Sequence, residues 1–282
     1  MRVIFVAVFN YNSTNVSQAD GFRKAGCDVI EFNYREIATK IGNFERDKQL
    51  VELCKTEKPD VVVFSKCNEI YSWVVDECNK YSKTVLWYMD TMNENYNYAL
   101  VEKIQKCSFT FCAIWDSYLA AKKVGGDKVF FLQEGYDHLS NFPIDSQYLY
   151  DVCFIGGLRN KRHEYQKAIG FHVVQNAYGK EHSLIVSQTR INLNFTEGGT
   201  SDRTYKILAS KGFLLTEPWS SMENDFTAGQ DFDTFTNVEE LKNKIAYYLL
   251  HEDERLKIAE HGYNTVQKFD RINWAKQILN KL

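Results

Sequence analysis

The stretch richest in chemistry is 190–217, RINLNFTEGGTSDRTYKILASKGFLLTE. An apolar strand at 191–195 leads into a polar, glycine-containing turn at 196–202, then a helical segment that runs into a second apolar strand at 213–216. Glu197, Gly198 and Gly199 let the backbone come close to a ligand. Ser201 or Asp202 is expected to cap the helix, so that the N–H groups of its first turn point into the loop. Arg203 lies in that turn, where a guanidinium fork grips a phosphate or carboxylate with two parallel bonds. As an exposed helix-start residue, Arg203 is expected to add little to stability. An anion or a polyhydroxylated molecule suits such a loop, although strand, glycine turn, helix and strand is also the plain form of any βαβ unit.

A second cluster is FIGGLRNKRH, 154–163. Gly156 and Gly157 precede a helix start flanked by Arg159, Lys161 and Arg162, a pattern in which backbone N–H groups and cations converge on a phosphate. It lacks both GxxxxGK[ST] and GxGxxG, so neither ATP hydrolysis nor NAD binding is supported. Asp90 closes KTVLWYMD and is either a general base at the mouth of a strand or the cap of a following helix. Asn10, Tyr11 and Asn12 follow the first strand, and Asp137 and His138 fall in a Gly- and Pro-containing break. All five are candidate acceptor contacts. No HExxH spacing occurs, and no metal is implied.

SDRTYKILASKGFLLTE, 201–217, resembles the signature of the CgeB-like glycosyltransferases, a branch of the two-domain GT-B nucleotide-sugar transferases. An Arg, an aromatic, an acidic residue, a small-residue pair, a Gly and an apolar strand recur there in this order. The resemblance continues through 231–259 and more weakly through 151–162. It implies a metal-independent transfer of sugar from a nucleoside diphosphate sugar, UDP-sugar favoured, to a hydroxyl acceptor, with the nucleotide-sugar as co-substrate and no other cofactor. Gly156, Gly157, Arg159, Arg162, Glu197, Ser201, Asp202, Arg203, Thr204 and Tyr205 would line the donor site, and Asp90 would be the base. Two positions depart from the pattern. Lys206 stands where a ribose-binding Glu is usual, and Lys211 where Gly is common. A Lys accepts no hydrogen bond from ribose hydroxyls, so either another group such as Glu197 holds the ribose or the donor is recognised differently. A non-catalytic nucleotide or sugar binder and a sugar-phosphate epimerase of the same shape remain as alternatives.

The elements that must carry these residues alternate. Apolar runs at 2–9, 28–33, 60–65, 84–89, 109–114 and 129–133 read as buried parallel strands separated by helices. After the break at 135–148, strands are expected at 151–155, 172–177, 190–195, 213–216 and 231–236, with helices at 160–169, 238–250 and 253–266. This is α/β, GT-B: two Rossmann-like domains whose sheets face across a cleft, at 1–140 for the acceptor and 141–268 for the donor, with a helix at 269–282 crossing back to the first.

Composition bounds the remainder. The 282 residues are 44% hydrophobic and 15% aromatic, enough to bury two cores. A net charge of −3 disfavours gripping nucleic acid as the main task, so a nucleic-acid acceptor finds no support in charge. Seven cysteines without CxxC spacing are expected to be reduced and buried. No apolar run approaches membrane length, and a soluble cytoplasmic protein is expected.

Overall fold

The computed structural model describes residues 1–10, 13–92, 98–196 and 199–282. Three expected ligand contacts, Tyr11, Asn12 and Glu197, lie outside the described residues. The chain divides into two compact units, Met1–Glu134 together with Arg271–Leu282, and Gly135–Asp270.

In the first unit, β1 (Arg2–Ala7), β2 (Asp28–Asn33), β3 (Val61–Ser65), β4 (Lys83–Tyr88), β5 (Phe109–Cys112) and β6 (Val129–Phe131) form one parallel sheet in the order β2-β1-β3-β4-β5-β6. Its strands are apolar on both faces because helices cover both. Along β1, Val3, Phe5 and Ala7 join one core while Ile4 and Val6 join the other. The connecting helices are α1 (Thr14–Lys24), α2 (Tyr34–Ile41), α3 (Asn43–Glu57), α4 (Ser72–Cys78), α5 (Tyr98–Lys106) and α6 (Trp115–Gly125).

The second unit holds β7 (Tyr150–Ile155), α7 (Lys161–Ile169), β8 (His172–Val174), α8 (Gly179–Ser187), β9 (Thr189–Asn194), α9 (Asp202–Ala209), β10 (Leu214–Thr216), β11 (Asp233–Thr234), α10 (Val238–Leu250) and α11 (Glu252–Val266). Its sheet order is β11-β10-β9-β7-β8, again all parallel. In each sheet the first strand of the unit lies between the second and the third. The direction of winding therefore reverses there, leaving a crevice at the carboxyl ends of β1 and β3 and another at β7 and β9.

The last helix, α12 (Arg271–Leu279), belongs to the first unit. Trp274 meets Phe22 and Trp87 with ring centres 5.3 and 5.2 Å apart. Gly21 of α1 permits the crossing, since a Cβ there would lie 2.3 Å from the Arg271 carbonyl oxygen. All seven cysteines are buried and free. Among the described residues no helix is long and apolar enough to cross a membrane.

Candidate functional site

In the second unit the chain leaves β7 through Gly156, whose φ of 152° is a glycine conformation. A Cβ there would sit 2.9 Å from Arg203 Nη2 and 3.0 Å from Phe154 Cζ. Arg203, in the first turn of α9, occupies this space. Its Nε donates to the Ile155 carbonyl at 2.7 Å and its Nη1 to Asn194 Oδ1 at 2.9 Å. The guanidinium carbon lies 4.9 Å from the centre of the Phe154 ring. Arg162 of α7 approaches the same ring at 5.4 Å, with Nη1 donating to the Gly157 carbonyl at 3.2 Å. Two guanidinium groups thus converge on one phenylalanine at the β7/β9 crevice, with neutral oxygens among their partners. Arg159 is exposed beside them, its Nε 3.7 Å from where a Gly157 Cβ would be.

The node that holds Arg203 is Asn194, a fully buried amide at the end of β9. Its Nδ2 donates to the hydroxyls of Thr204 and Thr216, each at 3.1 Å. A buried amide is costly unless its hydrogen bonds are made. Here they fasten the first turn of α9 to β9 and β10. Glu217, at the end of β10, has a similar tying role. It takes the Lys161 ammonium at 2.8 Å and the Thr196 N–H at 3.1 Å, joining the start of α7 and the loop after β9 to one buried carboxylate.

Several expected contacts are corrected by this geometry. Thr204 and Tyr205 do not line a ligand space. Thr204 is fully buried, and the Tyr205 ring packs edge-on against Phe269 at 5.4 Å, because positions 204, 205 and 208 share the face of α9 that covers the sheet. Ser201 occupies the N-cap position of α9 without making a side-chain cap bond, and its Oγ is buried with no partner. Asp202 is the first helical residue, and its carboxylate pairs with the Lys206 ammonium at 2.5 Å, one turn on. Arg203 itself is half-buried and knits β7 to β9, so the expected exposed appendage is a structural tie as well.

In the first unit, Asn15 of α1 bridges the crevice, its Nδ2 donating to the Val8 carbonyl at 3.1 Å and its Oδ1 accepting from Ser65 Oγ at 2.7 Å. Lys66 follows β3, and its ammonium forms an ion pair with the Asp90 carboxylate at the end of β4. The described partner of that carboxylate is a cation. Asn10 is exposed, its carbonyl accepting from Ser13 N–H at 2.9 Å. Asp137 closes its own turn. Oδ1 accepts from Leu139 N–H at 2.9 Å and Oδ2 from the Ser140 hydroxyl, which commits to structure a carboxylate expected to face an acceptor. His138 is half-buried beside it.

Residues 143–280 match the glycosyl transferase-like family model. No curated protein matches the chain by sequence. Among solved structures, Anabaena HepE in complex with UDP is similar at a TM-score of 0.71 and 10% identity, covering 100% of this chain and 99% of HepE. HepE has also been crystallised with UDP-glucose. A glycosyltransferase from Rickettsia africae ESF-5 is similar at a TM-score of 0.70 and 10% identity, covering 99% of this chain and 97% of that one. TarM matches at 0.64 and 10% identity over 83% of this chain and 58% of its own. The fold is GT-B. The chain is thus GT-B throughout, the architecture of glycosyltransferase enzymes, and glycosyl transferase-like in sequence over residues 143–280.

Sequence reasoning missed Asn194 as a member of these clusters, although a signal for it existed. Asn192 and Asn194 interrupt an otherwise apolar strand, and an amide in a doubly buried strand must be bonded to something.

Proposed function

We propose that this GT-B protein is a metal-independent glycosyltransferase of the CgeB-like kind, moving a sugar from a UDP-sugar to a hydroxyl acceptor. The observation that carries the reading is the convergence of Arg162 and Arg203 on Phe154 beside Gly156. A departing nucleoside diphosphate develops negative charge, and two fixed guanidinium groups at a strand-end crevice supply the compensating charge before the reaction begins. The glycine lets a phosphate approach the backbone, and the N–H groups at the start of α9 add their dipoles. Likeness to HepE, crystallised with UDP and with UDP-glucose, supports uridine as the base.

The second unit binds the donor and the first binds the acceptor. Asp90 takes the proton of the acceptor hydroxyl as its oxygen bonds to the anomeric carbon, while the bond from that carbon to the diphosphate oxygen breaks and its electrons leave with UDP. Seven buried free thiols fit a reducing compartment such as the cytoplasm.

Calorimetric titration of UDP into the protein in the presence of EDTA tests the donor site. Binding that persists with chelator and weakens in Arg203→Ala supports the reading. Affinity equal in a folded Arg203→Ala protein removes it.

A further inference from the structure

We propose that Lys66 is a positioning residue for Asp90, and that Lys103 fixes Lys66 in place from below, an inference that rests on the glycosyltransferase reading. Lys66 and Cys67 adopt φ values of 62° and 49°, two successive non-glycine residues in the left-handed region. Each such residue is strained and persists only where the surroundings over-determine it. The surroundings here do so with buried charge. Lys103 of α5 is 3% exposed, and its ammonium donates to the Cys67 carbonyl at 2.6 Å. Arg46 and Asp47 of α3, both fully buried and paired at 2.7 Å, hold the next residues. Arg46 Nη2 donates to the Glu69 carbonyl at 2.7 Å, and Asp47 Oδ2 accepts from Tyr71 N–H at 3.1 Å. The Cys67 thiol donates to the Val6 carbonyl at 3.1 Å.

Burying an ammonium to hold one carbonyl of a surface turn is a costly way to gain stability, since apolar replacements of buried charges are often neutral or better. What the arrangement achieves is placement. It aims the Lys66 side chain, 35% exposed, at the Asp90 carboxylate, 42% exposed. Asp90 is fixed from its own side. Ser117, 1% exposed, donates to the Asp90 carbonyl at 3.0 Å and accepts from Met92 N–H at 2.8 Å. Both halves of the pair therefore stand on backbone pinned by buried groups of other helices, the form of support that a group needing a fixed reactive orientation requires.

The test compares the parent with Lys66→Met, Lys66→Arg and Lys103→Met in three measurements: UDP affinity, UDP release from UDP-glucose, UDP-galactose and UDP-N-acetylglucosamine, and amide exchange at Lys66. Lys66→Met should lower kcat by about 10- to 100-fold, the scale for a misplaced reactive group, with UDP affinity and donor KM unchanged. Lys66→Arg should restore turnover to within about fivefold, because it keeps the cation. Lys103→Met should raise exchange of the Lys66 amide and lower kcat at temperatures far below its melting point. A surface ion pair with a purely structural role would move the melting temperature slightly and leave kcat alone. If the parent binds and turns over donor while Lys66→Met stays within twofold, the positioning role is overturned and the donor site stands. If the parent binds no UDP, or releases it from none of the three sugars, the glycosyltransferase reading falls and this inference with it.

Discussion

The two units wind their strands alike and place their polar clusters at strand carboxyl ends, yet they build them by opposite means. At the β7/β9 crevice the cations proposed to hold the donor are themselves structural ties. Arg203 bonds a carbonyl of one strand and a side chain of the next, and Gly156 gives it room. Beyond β3 the roles are separated. Lys66 and Asp90 face outward, while Lys103, Arg46, Asp47 and Ser117 hold the backbone beneath them. Substitutions in the second unit should therefore change binding and stability together, and substitutions of the outward pair in the first should change turnover alone.

The largest expected effect bears on that separation. Asp90→Asn should reduce turnover by about 100-fold or more, because a base acts only as the bond forms, with UDP affinity and melting temperature those of the parent. A matching loss of UDP affinity would break the contrast between the units.

Gly156→Ala comes next. The added methyl meets Arg203 Nη2 at 2.9 Å and Phe154 Cζ at 3.0 Å in a φ that alanine avoids. UDP affinity should drop by about tenfold or more as the guanidinium is displaced, which calorimetry would read directly. Arg203→Ala should weaken UDP binding by roughly 1.5–3 kcal/mol and also destabilise the fold by about 1–3 kcal/mol, since Ile155 O and Asn194 Oδ1 lose a charged donor. Denaturant unfolding would show the second loss. Its absence would mean that the two roles are not fused in one side chain.

The last effect concerns pH and vanishes near neutrality. His182 lies on α8, 5% exposed, and burial first and the Lys206 ammonium second push its pKa down from 6.5 to about 3. Above pH 6.5 both folded and unfolded chains hold it neutral, so it contributes no pH dependence there. As pH falls from 6.5 towards 3 the unfolded chain takes up a proton that the folded one refuses, and stability is lost at up to about 1.4 kcal/mol per pH unit. Unfolding curves of His182→Gln should be flatter across that window. An unchanged slope would show that His182 is not the group responsible.

Much of this architecture was legible in the sequence because parallel strands covered on both faces are continuous apolar runs. Val3 to Ala7, Val61 to Phe64 and Leu214 to Leu215 announce themselves without alternation. Helix α8 was not, since it opens on a glycine and shows weak amphipathic patterning, and the strand expected at 231–236 shrinks to Asp233–Thr234. The segment after β2 holds two helices divided at Gly42, where the plain alternation of strand and helix leads one to expect a single helix. At the site, residue types were readable and partners were not. Nothing local to Arg203 points to a carbonyl 48 residues away, and nothing local to Asp90 names Lys66. The inward turn of Tyr205 was within reach, given its i,i+3 spacing to Leu208.

The return of α12 to the first unit bears on how the chain is made. Synthesis runs from the amino end, and domains commonly fold in the order they emerge. Here the first unit leaves the ribosome with Phe22 and Trp87 still lacking Trp274, whereas Gly135–Asp270 is continuous and complete before α12 is translated. The second unit can thus close its core first, and the unit begun earliest is the last to be finished.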